Sequence, residues 1–315
     1  MWPFKKNNNV FESWPIFRLT KTGKIYGRSI TIFINNSQCH LTSIDVYSDG
    51  AIDCWGFVDL KLFSNKVRGK WVVACPRKGQ NIYVFNFGIT GALNIRFKLI
   101  DEDIISIVNN TVKELNPKMD GLIDMQGSDV ELRDNVKYAK MGIADKKLFI
   151  VNPVTGDEIV GDSVPIIKIE NERAYLTNLF VFANGNIKIG LNGLLQDVSA
   201  LSGLYRDGIL TNHANPNTWI DIPGLGSFLT ENKFGGLDVN NRIAEVYDMI
   251  DLLNGKPGVI KLCRNAFDDF TKEPSEENKN KLKISYECLP DHLRRFCGDM
   301  DVKDHDIIKA IGLKL

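Results

Sequence analysis

Four residues in the first third of the sequence could take part in catalysis, namely Asp45, Asp49, Asp53 and Asp59. A nuclease or phosphodiesterase needs carboxylates that converge on a metal ion, and two on one face of a sheet could begin such a site. An Asp-Gly pair between two apolar runs predicts a two-residue hairpin turn, in which Tyr47 faces Ile52. Asp45 and Asp53 then point to opposite faces of the sheet. The spacing therefore opposes a metal site, and we predict no metal and no catalytic set.

A second set with ligand chemistry lies near the end of the chain and consists of Cys288, His292, Cys297 and His305. Their spacing matches no usual zinc pattern, and Pro290 divides them between two short helices. We interpret them as buried thiols and partly exposed histidines. Since the sequence contains no dinucleotide, Walker or serine-hydrolase motif, we expect no cofactor.

A basic segment runs over residues 61–78 without one acidic residue. The positions of interest in it are Lys61, Lys66, Arg68, Lys70, Trp71, Arg77 and Lys78. Basic residues around a tryptophan are typical of a surface that binds a polyanion, with Trp71 as a stacking platform. A solvated loop beside a core tryptophan would give the same pattern. A third interpretation is that this segment faces an acidic surface, in the same chain or in a neighbouring molecule.

The chain contains an internal duplication with a shift of 135 positions. Residues 32–52 and 167–187 are identical at eight of 21 positions. Residues 14–122 include 14 basic and 9 acidic side chains, a net of +5, whereas residues 147–256 include 8 basic and 13 acidic, a net of −5. The two copies are therefore oppositely charged. We favour association through these complementary fields, within the chain or in an oligomer.

The element pattern predicts an α+β fold made of two tandem related units. Each unit has an antiparallel sheet and one packed helix, over residues 104–115 and 243–253, with Asp101 available as N-cap of the first. After Pro257 the pattern becomes helical, and Ser275 after Pro274 is the predicted N-cap of a helix in this region. We predict a first repeat over residues 1–122, a connector over 123–146, a second, diverged repeat over 147–256, and an α-helical C-terminal tail over 257–315.

The composition is that of a globular protein, with 43% hydrophobic and 25% charged residues and a formal net charge of zero. No run approaches the ~20 apolar residues that span a bilayer, and the first residues lack a secretory signal. Six dispersed cysteines without a Cys-x-x-Cys pair favour reduced thiols. We therefore expect a cytoplasmic protein with no membrane partner.

Three stretches stand out together: DGAIDCWGFVDL at residues 49–60, AFDDFTKEPSEENKNKL at 266–282 and YECLPDHLRRFCGDMDVKDHDI at 286–307. They resemble an uncharacterised bacterial protein family, a domain of unknown function. The resemblance covers the first copy and the tail and implies no activity, so it supplies no catalytic residues. The second copy lacks the equivalents of Trp55 and Asp59 of the motif. The positions that the resemblance brings forward are Asp53, Trp55, Asp59, Arg294 and Arg295.

We expect a non-enzymatic binding protein with a protein partner, of the kind that serves as an accessory or immunity factor in phage defence or toxin conflict. Two alternatives remain open. One is a metal-dependent hydrolase or nuclease that uses Asp53, Asp59 and the pair Arg294-Arg295. The other is binding of nucleic acid or another polyanion through residues 61–78.

Overall fold

The computed structural model describes residues 13–20, 23–125, 130–133, 136–139, 146–294, 296–298 and 304–312. The chain divides into two compact units, one of Met1–Phe180 with Ile187–Gly236 and one of Val181–Asn186 with Leu237–Leu315. The first unit contains nearly all the strands, and the second contains the helices after residue 236.

The first repeat alternates long strands with two helices. Its elements are β1 (Ser13–Thr20), β2 (Gly23–Asn36), β3 (Gln38–Tyr47), β4 (Ile52–Asp53), β5 (Phe57–Val58), α1 (Leu60–Arg68), β6 (Val72–Val73), β7 (Asn81–Val84), β8 (Gly88–Phe97) and α2 (Asp101–Leu115). Two short strands follow, β9 (Val130–Arg133) and β10 (Val136–Ala139), which pair with each other.

The second repeat follows the same order. Its elements are β11 (Lys146–Val151), β12 (Glu158–Glu170), β13 (Arg173–Phe182), β14 (Asn186–Ile189), β15 (Leu195–Asp197), a 3-10 turn (Val198–Ala200), α3 (Leu201–Arg206), β16 (Leu210–Thr211), β17 (His213–Ala214), β18 (Trp219–Ile222), β19 (Gly226–Thr230), β20 (Phe234–Gly235) and α4 (Val239–Leu253). The helices of the tail are α5 (Val259–Lys272), α6 (Glu276–Glu287), α7 (Asp291–Arg294) and α8 (His305–Ile311).

Five strands from each repeat belong to one sheet that closes on itself. The first repeat contributes β1-β2-β3-β7-β8 in that order, and the second contributes β11-β12-β13-β18-β19. The two sets join through β8–β19 at one end and β1–β11 at the other, and both junctions are antiparallel. All pairings in this circuit are antiparallel except β3–β7 and β13–β18, which occupy the same place in each repeat. The arrangement has the connectivity of a pseudo-two-fold symmetric pair.

A matching polar contact in each repeat supports the duplication. The helix α2 ends at Asn116, whose side-chain amide donates to the carbonyl of Ser48 at 3.1 Å. The helix α4 ends at Asn254, whose amide donates to the carbonyl of Ala183 at 2.7 Å. Ser48 and Ala183 are 135 positions apart, the shift found in the sequence. In both repeats, therefore, the helix after the sheet is tied to the same hairpin turn.

The predicted register of the first hairpin is wrong by one residue. Val46 pairs with Ile52 and Asp45 pairs with Asp53, while Tyr47 N–H donates to Ala51 O at 2.9 Å. The loop therefore has three residues. Only its last residue, Gly50, has positive φ (79°), whereas a two-residue type I′ turn needs positive φ at both central positions. The three-residue loop lets the aspartate before the glycine keep an ordinary backbone conformation.

A single core cluster connects the two repeats within the first unit. The helix α2 contributes Ile104, Val108 and Val112, as its spacing predicts. The second repeat contributes residues such as Phe228, which is fully buried, and Phe234, whose ring lies 4.9 Å from that of Phe87. Because their apolar side chains share one cluster, the repeats are not two independent cores.

Two capping predictions have different outcomes. Ser275 caps α6 as predicted, with its hydroxyl accepting from Asn278 N–H at 3.2 Å. Asp101 is not the N-cap of α2, because Ile100 takes that position and Asp101 is the first helical residue. The Asp101 carboxylate instead accepts from Ala74 N–H at 2.8 Å and from Lys70 Nζ at 2.6 Å.

The second unit has a separate core in its helical tail. Its buried members are Cys263, Leu282, Tyr286, Leu289, Cys297, Ile307 and Ile311. Two polar contacts fasten this core: Tyr286 donates its hydroxyl hydrogen to Asp304 at 2.6 Å, and the Arg264 guanidinium donates to Phe296 O at 2.6 Å. The tail helices are thus held by buried apolar side chains and by bonds to side-chain and backbone oxygens.

The predicted fold class is confirmed: the protein is α+β, with two tandem related units and a helical C-terminal region. The four predicted domain boundaries stay predictions. All six cysteines are free thiols, four of them buried. Among the described residues, no helix is both long enough and apolar enough to cross a membrane.

Candidate functional site

The Asp-Cys-Trp-Gly stretch forms a tight loop that exposes a tryptophan. Asp53 pairs with Phe57 across β4 and β5, and the Asp53 carboxylate accepts from Gly56 N–H at 3.0 Å. Cys54 is fully buried beneath the loop, which anchors it to the core. Trp55, at the tip, is 47% exposed and has φ of 65°. A bulky residue in this left-handed region is strained, and such strain concentrates at functional sites.

Aromatic rings surround Trp55. The Trp55 ring lies 4.9 Å from the His40 ring and 6.0 Å from the Trp71 ring, centroid to centroid, at interplanar angles of 75° and 83°. His40 also contacts Tyr83 edge to face at 5.1 Å. With Phe85, which is 66% exposed, these residues form what we call the aromatic site: His40, Trp55, Trp71, Tyr83 and Phe85.

The sheet determines which of these rings share a surface. His40 on β3 pairs with Tyr83 on β7, and Tyr83 pairs with Ile89 on β8. Directly paired residues lie on the same face, so these three side chains form a row across three strands. Phe85 lies in the turn directly after β7 and lines the same pocket as His40 and Tyr83. Residues of the row border an open pocket of about 430 Å³ lined by His40, Leu41, Thr42, Trp55, Tyr83 and Phe85.

The basic segment adjoins the aromatic site. Lys61, Lys66 and Arg68 lie on α1, and Lys66 Nζ is 5.1 Å from the centroid of the Trp71 ring. Lys70 forms an ion pair with Asp101. Arg77 and Lys78 are exposed in the turn that leads into β7, the strand that carries Tyr83. The segment is therefore a helix and a turn on either side of the half-buried Trp71.

Asp59 is a structural residue. It is the N-cap of α1, with one carboxylate oxygen accepting from Leu62 N–H at 2.7 Å and the other from Met125 N–H at 2.9 Å. Both oxygens are occupied by backbone donors, and the side chain is buried. Asp53 likewise supports its own loop. The resemblance motif thus contains two aspartates that fold the chain around Trp55.

The prediction that Asp45 and Asp53 point to opposite faces is wrong, because they are directly paired and share a face. Asp45 is buried, accepts from Ser29 Oγ at 2.6 Å and forms an ion pair of 2.9 Å with Lys146 Nζ. Burial raises the pKa of Asp45, although Lys146 and Ser29 partly offset this effect. Among the described residues, no group of three or more histidine, cysteine or acidic side chains is placed to hold a metal ion.

The other predicted candidates lie in the tail. The Arg294 guanidinium is 5.3 Å from the centroid of the Tyr286 ring. Arg295 lies outside the described residues. Cys297 is buried in the helical core as expected, but Cys288 is exposed, so its interpretation as a buried thiol is wrong. His305 is exposed, and the side chain of His292 lies outside the described part of the chain.

Sequence reasoning identified Trp55 and Trp71 but missed the other rings of the site. His40 and Tyr83 lie 43 positions apart and meet through the parallel pairing of β3 and β7. No local pattern specifies that pairing. The signal in the sequence was weak: Tyr83, Phe85 and Phe87 alternate over residues 83–87, which is typical of a strand but does not specify its neighbour.

Comparison with protein families decides the relationship of the chain. A model described as a domain of unknown function, DUF7638, matches twice, over residues 15–119 and 149–257. The chain belongs to the DUF7638 family. A second domain of unknown function, DUF7639, matches residues 259–312. No curated protein and no solved structure gives a significant match.

The two DUF7638 repeats differ most clearly at the aromatic site. The position of Trp55 is taken by Gly190 in the second repeat, with nearly the same φ of 60°. His40 pairs with Tyr83 in the first repeat, and at the equivalent place in the second repeat Tyr175 pairs with Asp221. The first repeat thus keeps a strained tryptophan where its duplicate has glycine, the residue that adopts positive φ without cost.

Proposed function

We propose that the protein is a non-enzymatic binding protein and that the aromatic site of the first repeat holds its partner. The observation that carries this proposal is Trp55 at φ of 65°, half exposed, where the second repeat has Gly190 at φ of 60°. A glycine would satisfy the backbone at this position. Because a tryptophan at this position is strained, its ring must have a use that a glycine cannot provide. We infer that this use is contact with a binding partner, since aromatic side chains contribute much of the binding energy of protein surfaces.

The carboxylates support binding rather than catalysis. Both oxygens of Asp59 accept backbone hydrogen bonds, and Asp53 Oδ1 accepts from Gly56 N–H. Asp45 is buried and forms an ion pair with Lys146. A metal-dependent hydrolase would need carboxylate oxygens that are open to a metal and a substrate. These three side chains instead order the scaffold of the aromatic site.

The test is quantitative capture by the immobilised full chain from an extract of the source cells. Asp53→Asn is compared with Trp55→Gly to test whether capture needs the carboxylate. Asparagine keeps an oxygen acceptor for Gly56 N–H but removes the negative charge. Val154→Ser is the control, since Val154 is an exposed apolar residue of the second repeat, at 89%. We expect the wild type, Asp53→Asn and Val154→Ser to retain the same component in equal amounts, and Trp55→Gly to lose it. Capture that survives Trp55→Gly but fails in Asp53→Asn would overturn the proposal.

The cellular role that we propose is the one expected from the sequence, an accessory or immunity factor in phage defence or toxin conflict. It is supported by the binding site and by the engaged carboxylates of the first repeat. Deletion of the gene, followed by challenge with phage or with the product of a neighbouring gene, tests it. Unchanged survival of the deletion strain would contradict this role.

A further inference from the structure

The shape of the surface indicates which class of ligand fits the aromatic site. His40, Tyr83 and Ile89 form one row across three adjacent strands, with Phe85 beside them and Trp55 at the margin. Phe85 is 66% exposed and Ile89 is 42% exposed. Aromatic rings on an open sheet face suit planar ligands, and sheets with such rings stack the bases of single strands.

The positive charge beside these rings favours planar ligands that also carry negative charge. Trp71 belongs both to the basic segment 61–78 and to the aromatic site, and Lys66 lies against Trp71, the ring that contacts Trp55. Within this segment, Lys70 forms an ion pair with Asp101 at 2.6 Å. An aromatic stacking surface next to a run of cations matches a ligand that alternates flat bases with phosphates.

We propose that the aromatic site of the first repeat binds single-stranded nucleic acid. A base stacks on the exposed rings of Trp55 and Phe85, and the phosphates lie toward Lys66, Arg77 and Lys78. Duplex is disfavoured, because paired bases cannot offer their faces to the rings. This inference rests on the proposed binding function and names its ligand.

Fluorescence anisotropy of a labelled single strand tests the inference. The probe is of mixed sequence, in DNA and RNA forms, and about 16 nucleotides long, which covers the usual site size of single-strand binding folds. We expect Trp55→Gly and Phe85→Ser each to raise Kd about tenfold or more, from the known worth of base stacking. Phe85→Ser alters a mostly exposed ring, so it remains informative should Trp55→Gly fail to fold. Val154→Ser should bind like the wild type.

A charge variant separates stacking from phosphate contact. Lys66→Gln should weaken binding to all sequences alike and lower the slope of log K against log salt by about 0.7, the value for one phosphate of a single strand. Lys113→Gln is the matched control, because Lys113 is exposed on α2, outside the basic segment. An unchanged slope for Lys66→Gln would contradict the placement of the phosphates.

The results that would contradict binding of single-stranded nucleic acid differ from those that would contradict the proposed binding function. Absence of single-strand binding by the wild type at low salt, equal binding of duplex, or equal affinity in Trp55→Gly and Phe85→Ser each removes nucleic acid as the ligand. If capture from cell extract still depends on Trp55 and resists nuclease, the site binds a protein and the binding function stands. If capture is also independent of Trp55, both proposals fail.

Discussion

At the scale of single residues, the carboxylates near Trp55 have a structural role, whereas the Trp55 ring is exposed. Asp53 and Asp59 lie in the same short motif as Trp55, but their oxygens accept backbone hydrogen bonds. Cys54, between them, is buried, and burial raises its pKa to about 11, so it stays a protonated thiol at neutral pH. Trp55 alone faces outward. These residues of the motif therefore position the Trp55 ring at the surface.

Asp45 gives a pH prediction at this scale. Because burial raises its native pKa above the ordinary 3.8, the folded protein holds this proton more tightly than the unfolded chain. The resulting stabilisation is complete below pH 3.8 and is lost as the pH rises through the native pKa. We expect the free energy of unfolding of the wild type, relative to Asp45→Asn, to fall as pH increases across that window. Urea unfolding of both proteins at a series of pH values measures it, and a difference that is flat or rises with pH would refute the assignment.

At the scale of elements, loops and caps determine where the site residues lie. The helix α1 begins at its Asp59 cap and holds Lys66 near Trp71. The hairpin of β4 and β5 carries Trp55, and the parallel neighbours β3 and β7 carry His40 and Tyr83. The site thus depends on elements that are distant in sequence and adjacent in the sheet.

Asp59→Ala should destabilise the protein by about 2 kcal/mol, because α1 loses its cap and Met125 N–H loses its acceptor. Asp59→Asn, which keeps one acceptor oxygen, should cost about half as much. Denaturant unfolding measures both. Wild-type stability in Asp59→Ala would show that the residue does not hold the fold, and would restore it as a candidate for chemistry.

At the scale of the whole molecule, the duplication produces a composite sheet with divergent surfaces. One contact between the repeats joins opposite charges, because Lys24 of β2 pairs with Glu158 of β12 at 2.6 Å. In a second contact, the Arg96 guanidinium of β8 lies 3.9 Å over the Trp219 ring of β18. Part of the predicted complementarity is therefore realised within the chain. Association of whole chains through the same charges stays a prediction.

Because the two repeats share one core cluster, they should unfold together. Phe228→Ala removes a fully buried ring of the second repeat and should cost about 3–5 kcal/mol. We expect hydrogen–deuterium exchange to show equal loss of protection in β3 of the first repeat and β12 of the second. Loss confined to the second repeat would mean that the repeats are independent.

The features that sequence predicted are those set by local pattern. Helical spacing identified α2 from Ile104 and Val108, and Ser275 identified the start of α6. The register of the first hairpin failed because an Asp-Gly pair fits both a two-residue and a three-residue loop. His40 was missed because its place beside Tyr83 depends on a long-range parallel pairing. Closure of the sheet depends on the same kind of contact.

The central claim is that Trp55 is kept for binding and not for folding. The most direct test measures both properties in Trp55→Gly: the free energy of unfolding in denaturant, and retention of the captured component by the same preparation. Relief of left-handed strain, about 1–3 kcal/mol, offsets the lost ring contacts with His40 and Trp71. We expect stability within about 1 kcal/mol of the wild type, together with loss of binding. A loss of about 3 kcal/mol or more, with binding reduced only as far as the folded fraction falls, would contradict the claim.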